Sequence, residues 1–471
     1  MSRSGDSRNP SLIVGVLASC GLVVSFMQTL VVPLIPAFPR LLDTTATNAS
    51  WVVTVTLLAA AVVTPVSGRL GDLYGKRRVV VGSLVLLILG SVLCALTSSL
   101  ALMIVGRALQ GLAMGIVALG ISIMRDEIPP ERVGGAVSLM SATLGVGGAL
   151  ALPIAALVAE NLDWHVLFWG SSALGACCLA LILFVVPESP VRSPAPFDYL
   201  GTLGLAAGLI CLLLPIVKGG EWGWGSGTTL GLGGASVVLL LGWGWYQLRR
   251  RDPLVDLRVS ARRPVLFTNL ASILVGFALY AMFLSFPQLL QAPTATGYGL
   301  GLTMLVAGLC LMPNGLVMML LSPVSARLTT RFGARSTLMI GSAVIALGYV
   351  FALFLLDNAF ELIAASVIIG AGVGIAYAAM PSLIMGAVPV SETGAANGLN
   401  SLMRSVGTST SSAVMSTMLA NMTITVGVVT APSLTGFRAT FVVAGVAALA
   451  GIGFTALVPK TRKETGELVA A

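Results

Sequence analysis

Apolar runs of about 20 residues, separated by short loops, recur along almost the whole chain. A helix of about 20 apolar residues crosses the hydrocarbon core of a bilayer, and lipid is spanned only by helices or closed barrels because they satisfy their own backbone hydrogen bonds. Charged residues make up 9% of the chain, against about 25% in soluble domains. The pattern therefore predicts an all-α membrane protein and leaves no room for a large soluble domain.

Fourteen such runs can be placed along the sequence, each long enough to cross the bilayer once. The predicted spans are 12–35, 49–67, 79–97, 100–124, 133–158, 166–186, 198–217, 229–248, 265–290, 301–323, 336–356, 360–387, 394–420 and 437–458. The first run is longer than the apolar core of a signal peptide, so we expect it to be retained. An even number of spans places both termini on the same side of the membrane.

The loop charges indicate which side that is. With the termini in the cytoplasm, 21 Lys and Arg residues lie in inside segments and three lie outside, at Arg40, Lys218 and Arg438. This bias obeys the positive-inside rule, which the reversed orientation would violate in almost every loop. The sequence thus predicts a multi-pass protein of the plasma (inner) membrane with cytoplasmic termini. The net charge of +8 then needs no nucleic-acid partner.

Several classes of functional site have no support in the sequence. The six cysteines lie in apolar runs without ligand-like spacing, which is typical of small buried hydrophobes, and His165 is the only histidine. Glycine runs such as 297–301 lack the strand, turn and helix context of a phosphate-binding loop. We identify no ATP-binding domain and no nucleophile with its base. The prediction is a protein without a metal, a cofactor or enzymatic activity.

A repeated loop divides the chain into related halves. The Gly- and Arg-rich loop 68–78 after the second span has a degraded copy at 326–335, after the tenth. Each loop follows the second span of a six-span block, and repeated halves with a site between them are a transporter architecture. We predict four parts, namely an N-terminal six-helix bundle at 1–186, a linker with an inserted helix pair at 187–264, a C-terminal six-helix bundle at 265–458 and a cytoplasmic tail at 459–471.

The motifs of these halves match a known family. The first loop fits the signature G-x-L-x-D-x-x-G-(R/K)-(R/K) through Gly68, Asp72, Gly75, Lys76 and Arg77, and the fourth span fits R-x-x-Q-G through Arg107, Gln110 and Gly111. Over essentially its whole length the chain resembles the major facilitator superfamily, specifically its fourteen-span drug:proton antiporter branch. The resemblance implies a major facilitator fold and proton-coupled multidrug efflux.

Gating residues follow from these motifs. Asp72 can accept hydrogen bonds from a neighbouring helix N-terminus and pair with the surrounding arginines, which would form a latch at the cytoplasmic side. The alternative is a basic turn anchored to anionic headgroups. Arg107 lies about 10 Å inside its span, where it either faces protein or snorkels outward. The predicted gating set is Gly68, Asp72, Gly75, Arg77, Arg107, Gln110, Gly111 and Arg404.

Two departures from the family bear on coupling. Met27 stands where the branch has an aspartate, and 151–156 departs from the G-P-x-x-G-G pattern of antiporters. No acidic residue is placed near the bilayer centre, although a proton carrier usually needs a buried carboxylate or histidine. The remaining candidates, at span ends, are Asp126, Glu127, Glu160 and His165. Proton antiport is therefore implied by the resemblance, but the residues do not supply the usual carrier.

The substrate site is expected near the midplane, between the halves, by analogy with the family. Its predicted lining is Ser25, Phe26, Met27, Gln28, Met114, Asn269, Tyr280, Asn314, Tyr377 and Asn400. Methionines conform to irregular ligands, and an apolar cavity with few fixed polar groups tolerates varied cargo. The thirteenth span carries a polar stripe, which is explained either by interhelical hydrogen bonds or by a water-filled cavity. The residues of the stripe are Asn397, Ser401, Arg404, Thr408, Ser411 and Met415.

Three functions agree with these features. The first is export of hydrophobic or amphiphilic small molecules by alternating access, with protons as a further partner and a monomeric chain in the lipid bilayer. The second is a facilitator or importer of a neutral metabolite or lipid without proton coupling, which the missing acid favours. The third is a membrane sensor or scaffold that transports nothing.

Overall fold

The computed structural model describes residues 9–35, 37–189, 195–356, 358–426 and 429–459. Residues 460–471 of the predicted cytoplasmic tail, and 190–194 of the linker, lie outside the described residues. Long helices dominate the described chain, as the apolar runs predict. Each of these helices pairs its backbone N–H and C=O groups within its own segment, as a segment that crosses lipid must do.

The bounds of the elements are as follows. The helices are α1 (Pro10–Thr29), α2 (Phe38–Leu41), α3 (Ala46–Ala49), α4 (Trp51–Tyr74), α5 (Lys76–Ala95), α6 (Leu100–Gly111), α7 (Ile116–Glu127), α8 (Pro130–Asn161), α9 (His165–Val185), α10 (Tyr199–Trp222), α11 (Gly227–Arg249), α12 (Leu257–Ser260), α13 (Arg263–Gln291), α14 (Met304–Leu320), α15 (Ser322–Phe354), α16 (Ala359–Met385), α17 (Thr393–Asn421) and α18 (Leu434–Ala456). The strands are β1 (Thr423–Val426) and β2 (Val429–Pro432), and short 3₁₀ turns cover Val32–Leu34, Thr294–Thr296 and Val390–Glu392.

Twelve helical segments of the described residues are long and apolar enough to cross a membrane, with α6 and α7 together forming one of them. The predicted tenth and thirteenth spans fall on α14 and α17, which are not among the twelve. Helix α14 has 17 residues, and α17 has 29 residues but carries the polar stripe. Length and composition therefore account for twelve spans of the predicted fourteen.

The repeated loops share one backbone feature. Gly75, between α4 and α5, has φ of 113°, and Gly333, inside α15, has φ of 83°. Both angles lie in the region that glycine adopts at no steric cost. The second copy was expected to be a loop, yet it stays helical up to its glycine, so the chain bends at Gly333 within α15.

Two hydrophobic cores lie in the two parts of the chain. One is built from buried residues between Ile13 and Val186, with Met385 added. The other is built from residues between Ala271 and Val458.

Along the seam between α4 and α17 the backbones approach closely, because a Cβ atom on Gly398 would lie 2.6 Å from the carbonyl oxygen of Thr64.

Helices α10 and α11 lie in sequence between the two cores. A third apolar cluster joins α10 to both α4 and α17 through buried leucines, including Leu58, Leu209 and Leu402. The Asp198 carboxylate caps α10 and also accepts hydrogen bonds from Tyr246 and Gln247 of α11, at 3.0 and 2.9 Å. The pair is therefore internally tied, and α10 contacts helices of both cores.

A small antiparallel hairpin follows α17 and was not predicted. Strand β1 pairs with β2 in the register Thr423 to Pro432, and the Tyr298 hydroxyl donates to the carbonyl of Pro432. The all-α prediction is thus correct for the spanning part and incomplete for this loop.

Candidate functional site

The Asp72 carboxylate joins helices of the two cores. It lies near the end of α4, is 1% exposed, and accepts hydrogen bonds from the backbone N–H groups of Gly394 and Ala395, at 3.3 and 3.0 Å. Those groups belong to the first turn of α17, where the helix dipole favours a negative charge. The structure therefore has the hydrogen bonds to a helix N-terminus that the motif predicts.

Close backbone contact makes this approach feasible. A Cβ on Gly68 would collide with the carbonyl of Gly394, and a Cβ on Gly394 would lie 2.6 Å from the Asp72 carboxylate. Larger residues at either position would separate α4 from α17. The glycines thus set the distance between the carboxylate and the helix it caps.

The cation within 4 Å of Asp72 is Lys76, and the predicted arginines contribute through the electrostatic interaction of Arg69 with the same carboxylate. Lys76 is fully buried, with its Nζ atom 3.8 Å from Asp72 and 2.6 Å from the carboxylate of Asp126. Asp126, a candidate for proton coupling in the sequence, also accepts a hydrogen bond from Ser189 at 2.5 Å. Two carboxylates therefore share one buried ammonium at this end of the bundle, which offsets its desolvation.

Arg77 takes no part in the contact between Asp72 and the N-terminus of α17. Its guanidinium donates to the Leu183 carbonyl at 2.6 Å, and its backbone N–H donates to Glu188 at 3.2 Å. Both partners lie at or after the end of α9, so Arg77 joins α5 to α9 within one core. It does not reach α17.

A second bridge between the cores was missed by sequence reasoning. Arg125 of α7 donates to the Thr393 hydroxyl at the start of α17, at 2.6 Å. Arg125 precedes the flagged Asp126, but nothing in its local sequence indicates a partner 268 positions away. The N-terminus of α17 is therefore held from both α4 and α7.

Arg107 is buried in protein and does not snorkel. It is 1% exposed and donates to the carbonyls of Val52 and Met27, at 3.2 and 3.3 Å, and to the amide oxygen of Gln110 at 2.7 Å. Met27, which stands where the resemblance predicts an aspartate, thus contributes a backbone carbonyl. A Cβ on Gly111 would lie 2.6 Å from the Thr56 carbonyl, so this motif also fixes the packing of α6 on α4.

A polar network joins residues that the sequence assigned to separate roles. Arg404, predicted as a gating residue, donates to Asn400 at 3.1 Å and lies over the Tyr377 ring at 5.1 Å. The Asn400 amide nitrogen donates in turn to Asn269 at 2.9 Å and to Ser272 at 2.8 Å. The structure therefore places Arg404 among three predicted pocket residues from α13, α16 and α17.

The polar side of α17 faces other helices. Asn400, which adjoins the predicted stripe, donates hydrogen bonds to Asn269 and Ser272 of α13. Both polar side-chain atoms of Asn397, and the Ser411 hydroxyl, are buried without a hydrogen-bond partner among the described residues. A helix with such groups belongs against protein or a polar ligand rather than lipid.

The other predicted pocket residues are dispersed. Ser25 donates to the Leu144 carbonyl of α8 at 2.5 Å, and the Asn314 amide donates to the Ser366 carbonyl at 2.5 Å inside the C-terminal core. Phe26 and Met27 are also buried in packing. Partly exposed positions, which can still face a ligand, are Gln28, Met114 and Tyr280.

His165, a candidate for proton coupling, pairs with a carboxylate that was not among the candidates. His165 contacts Asp163 at 2.5 Å, and not Glu160. Hydrogen bonds from the His165 amide and ring lower the pKa of Asp163. The Asp163 side chain is 66% exposed, so this pair is typical of a solvated helix end.

Known proteins are similar to this chain over most of its length. A sequence profile described as Major Facilitator Superfamily matches residues 17–412. The chain is 27% identical over 413 residues to Multidrug resistance protein Stp of Mycobacterium tuberculosis (strain CDC 1551 / Oshkosh), covering 87% of this chain and 76% of that protein. It is 25% identical over 406 residues to the Tetracenomycin C resistance and export protein of Streptomyces glaucescens, covering 85% and 74%.

A solved structure has the same fold. The human organic anion transporter MFSD10 (TETRAN) superposes with a TM-score of 0.67 at 15% identity, covering 95% of this chain and 99% of that one. At this identity the likeness concerns the architecture alone, because one fold carries many cargoes.

Proposed function

Because the chain belongs to the Major Facilitator Superfamily, we propose that it is a secondary active transporter that exports hydrophobic or amphiphilic small molecules by alternating access. The proposal includes fourteen spans, made of the twelve apolar segments with α14 and α17, and α10 and α11 as the inserted pair. It places the chain in the plasma (inner) membrane with both termini cytoplasmic.

The contact of Asp72 with the N-terminus of α17 carries the proposal. Alternating access requires a contact between the two halves that forms in one state and breaks in the other. Two charge-assisted hydrogen bonds across a glycine seam meet that requirement, because glycine backbones can separate without first unlocking interdigitated side chains. We assign Asp72, with Lys76 and Arg125 beside it, to the closed state of the cytoplasmic side.

Two observations support the proposed direction and cargo. The two relatives are named for resistance and, in one case, for export, and the partly exposed Met114 and Tyr280 suit a hydrophobic ligand. Export of amphiphiles is the function that combines these observations with the gate.

Transport in proteoliposomes tests the proposal. A panel of pyrene derivatives, one neutral, one anionic and one cationic, would be offered to vesicles that contain the purified full chain. With a proton gradient imposed across the vesicle membrane, we expect at least one derivative to accumulate against its own gradient in the wild type and much less in Asp72→Asn. A protein that binds a derivative but moves none would contradict the proposal and support the sensor alternative.

A facilitator without proton coupling is the second candidate, and one observation favours it. Among the described residues, the carboxylates inside helices lie near helix ends, such as Asp72, Asp126 and Glu160, while Met27 occupies the place of the branch's aspartate. A pH jump across the vesicle membrane separates the two candidates. Antiport predicts proton movement that requires substrate, whereas a facilitator predicts none.

A further inference from the structure

Arg404 is a buried cation far from either end of its helix. It is the twelfth residue of α17, about 16 Å from the helix start at about 1.5 Å per residue, and it is 8% exposed. Within the described part of the chain, no ion pair within 4 Å includes it. A cation at such a depth is costly, and its cost falls when an anion is placed beside it.

The partners of Arg404 are neutral. A guanidinium has five N–H donors. Two bonds, to the Asn400 amide oxygen and to the Ser401 hydroxyl, at 3.1 and 2.8 Å, are formed with neutral oxygens of α17 itself. The ring of Tyr377 covers one face at 5.1 Å. These contacts orient the group and leave its charge uncompensated.

Arg107 provides an internal comparison. Its guanidinium meets two backbone carbonyls and the Gln110 amide oxygen, and its exposed fraction is 1%. Arg107 is therefore enclosed by acceptors from α1, α4 and α6. Arg404 is less enclosed, with 8% of its surface exposed against 1% for Arg107.

The surroundings hold the Arg404 group in place before any ligand arrives. Asn400 donates both amide hydrogens to Asn269 and Ser272 of α13, which turns its oxygen towards Arg404. A Cβ on Gly276 would lie 2.7 Å from the Arg404 carbonyl oxygen, so the backbones of α13 and α17 are in direct contact there. A positioned donor binds a ligand with a smaller entropy loss.

We propose that Arg404 binds the acidic group of the cargo and that the cargo is an organic anion, an apolar body with a carboxylate or sulfonate. This inference rests on the proposed transport function, and it narrows the substrate class. The planar guanidinium matches a carboxylate through two parallel hydrogen bonds. The ligand supplies the countercharge that the protein lacks, while Tyr377 and the partly exposed Tyr280 contact its apolar body.

Three matched probes test the inference. They are 1-pyrenebutyrate, its neutral methyl ester, and a pyrenylbutyl trimethylammonium cation, offered to the full chain in phosphatidylcholine proteoliposomes. Binding is read by energy transfer from the seven tryptophans to pyrene. Because hydrogen bonds to charged groups are strong, we expect the anion to bind roughly tenfold or more tightly than its ester, and the cation to bind most weakly.

Substitutions of Arg404 test whether this residue causes the preference for the anionic probe. We expect Arg404→Gln to lower the affinity for the anion about tenfold and to change that for the ester by less than about twofold. Arg404→Lys, which keeps the charge without the planar fork, should retain part of the preference. Arg438→Gln removes an equal charge from an exposed position of α18 and should leave the ratio of anion to ester affinity unchanged.

Several results would overturn the inference. Equal wild-type affinities for anion and ester would do so without any variant. So would a folded Arg404→Gln protein that loses affinity for both probes equally, because that is a structural effect. Displacement of the anionic probe by 0.1 M chloride alone would assign the site to inorganic ions. If Arg404→Gln does not fold, Arg404→Lys and the wild-type ratio decide.

The outcome also separates this inference from the proposed function. Binding of the anion that depends on Arg404, with no probe transported, would leave the anion site standing and refute the exporter. Transport of the ester and cation that is unaffected in Arg404→Gln, with no preference for the anion, would refute the anion site and leave the exporter.

Discussion

Single residues divide here into those whose role is local and those that connect distant parts of the chain. Asp72 and Arg125 belong to the second kind, since both bond to the start of α17. The sequence motif predicted the contact of Asp72 with a helix N-terminus, because glycines beside a lone carboxylate indicate close approach. It could not predict Lys76 as the paired cation or the grouping of Arg404 with Asn269, since side chains from separate helices meet only after packing.

Asp72→Asn should impair transport far more than binding. The amide keeps an acceptor oxygen but loses the charge that favours the helix N-terminus, which is worth up to about 2 kcal/mol in a partly buried site. We expect transport to fall about tenfold with ligand affinity changed less than about twofold. Asp163→Asn, at an exposed carboxylate, is the matched control. Equal loss of transport and binding would contradict the latch.

Arg107→Gln should lower stability. The shorter side chain removes the Arg107 donor from the Met27 carbonyl and from the Gln110 amide oxygen, at a cost of about 1–3 kcal/mol. Thermal unfolding in detergent measures the change, with Arg438→Gln as the exposed control, for which a change within about 0.5 kcal/mol is expected. An unchanged midpoint for Arg107→Gln would mean that these contacts contribute nothing to folding.

The helices were predictable from the sequence where the bilayer requires a helix. Long apolar runs became helices because backbone groups in lipid have no other partners. Helix α17 was predicted as a span from the sequence, although its polar stripe lowers its hydropathy. The break at residues 112–115 between α6 and α7, the helical run up to Gly333 and the β1–β2 hairpin were not predicted, because they depend on packing and backbone geometry rather than on hydropathy.

The seam between α4 and α17 should be sensitive to side-chain volume. Gly398→Leu would insert a side chain 2.6 Å from the Thr64 carbonyl, where only a backbone shift can make room. We expect a cysteine introduced at Ala395 to become several-fold more reactive towards a cytoplasmic alkylating reagent, in a background without the native cysteines. Gly453→Leu is the control, because that position has open space. Equal reactivity in both variants would show that the seam tolerates the added volume.

At the scale of the whole molecule, the charge of the loops makes a prediction that does not depend on any side-chain contact. Positively charged loops are retained in the cytoplasm, so tags at either terminus should be digested by an external protease only after the membrane is permeabilised. A tag in the loop before Gly227, between α10 and α11, is the outward control. Digestion of a terminal tag in intact cells would reverse the predicted orientation.

Lys218 has a mechanical consequence for the helix pair α10 and α11. This buried lysine, near the end of α10, bonds to Ser50 and Glu221 and lies 5.1 Å above the ring of Trp51, beside the start of α4. The contact between α10 and α17 consists mainly of leucine side chains. If the two halves rock against each other, α10 would therefore move together with α4 and the first half. It would slide against α17 along their apolar contact.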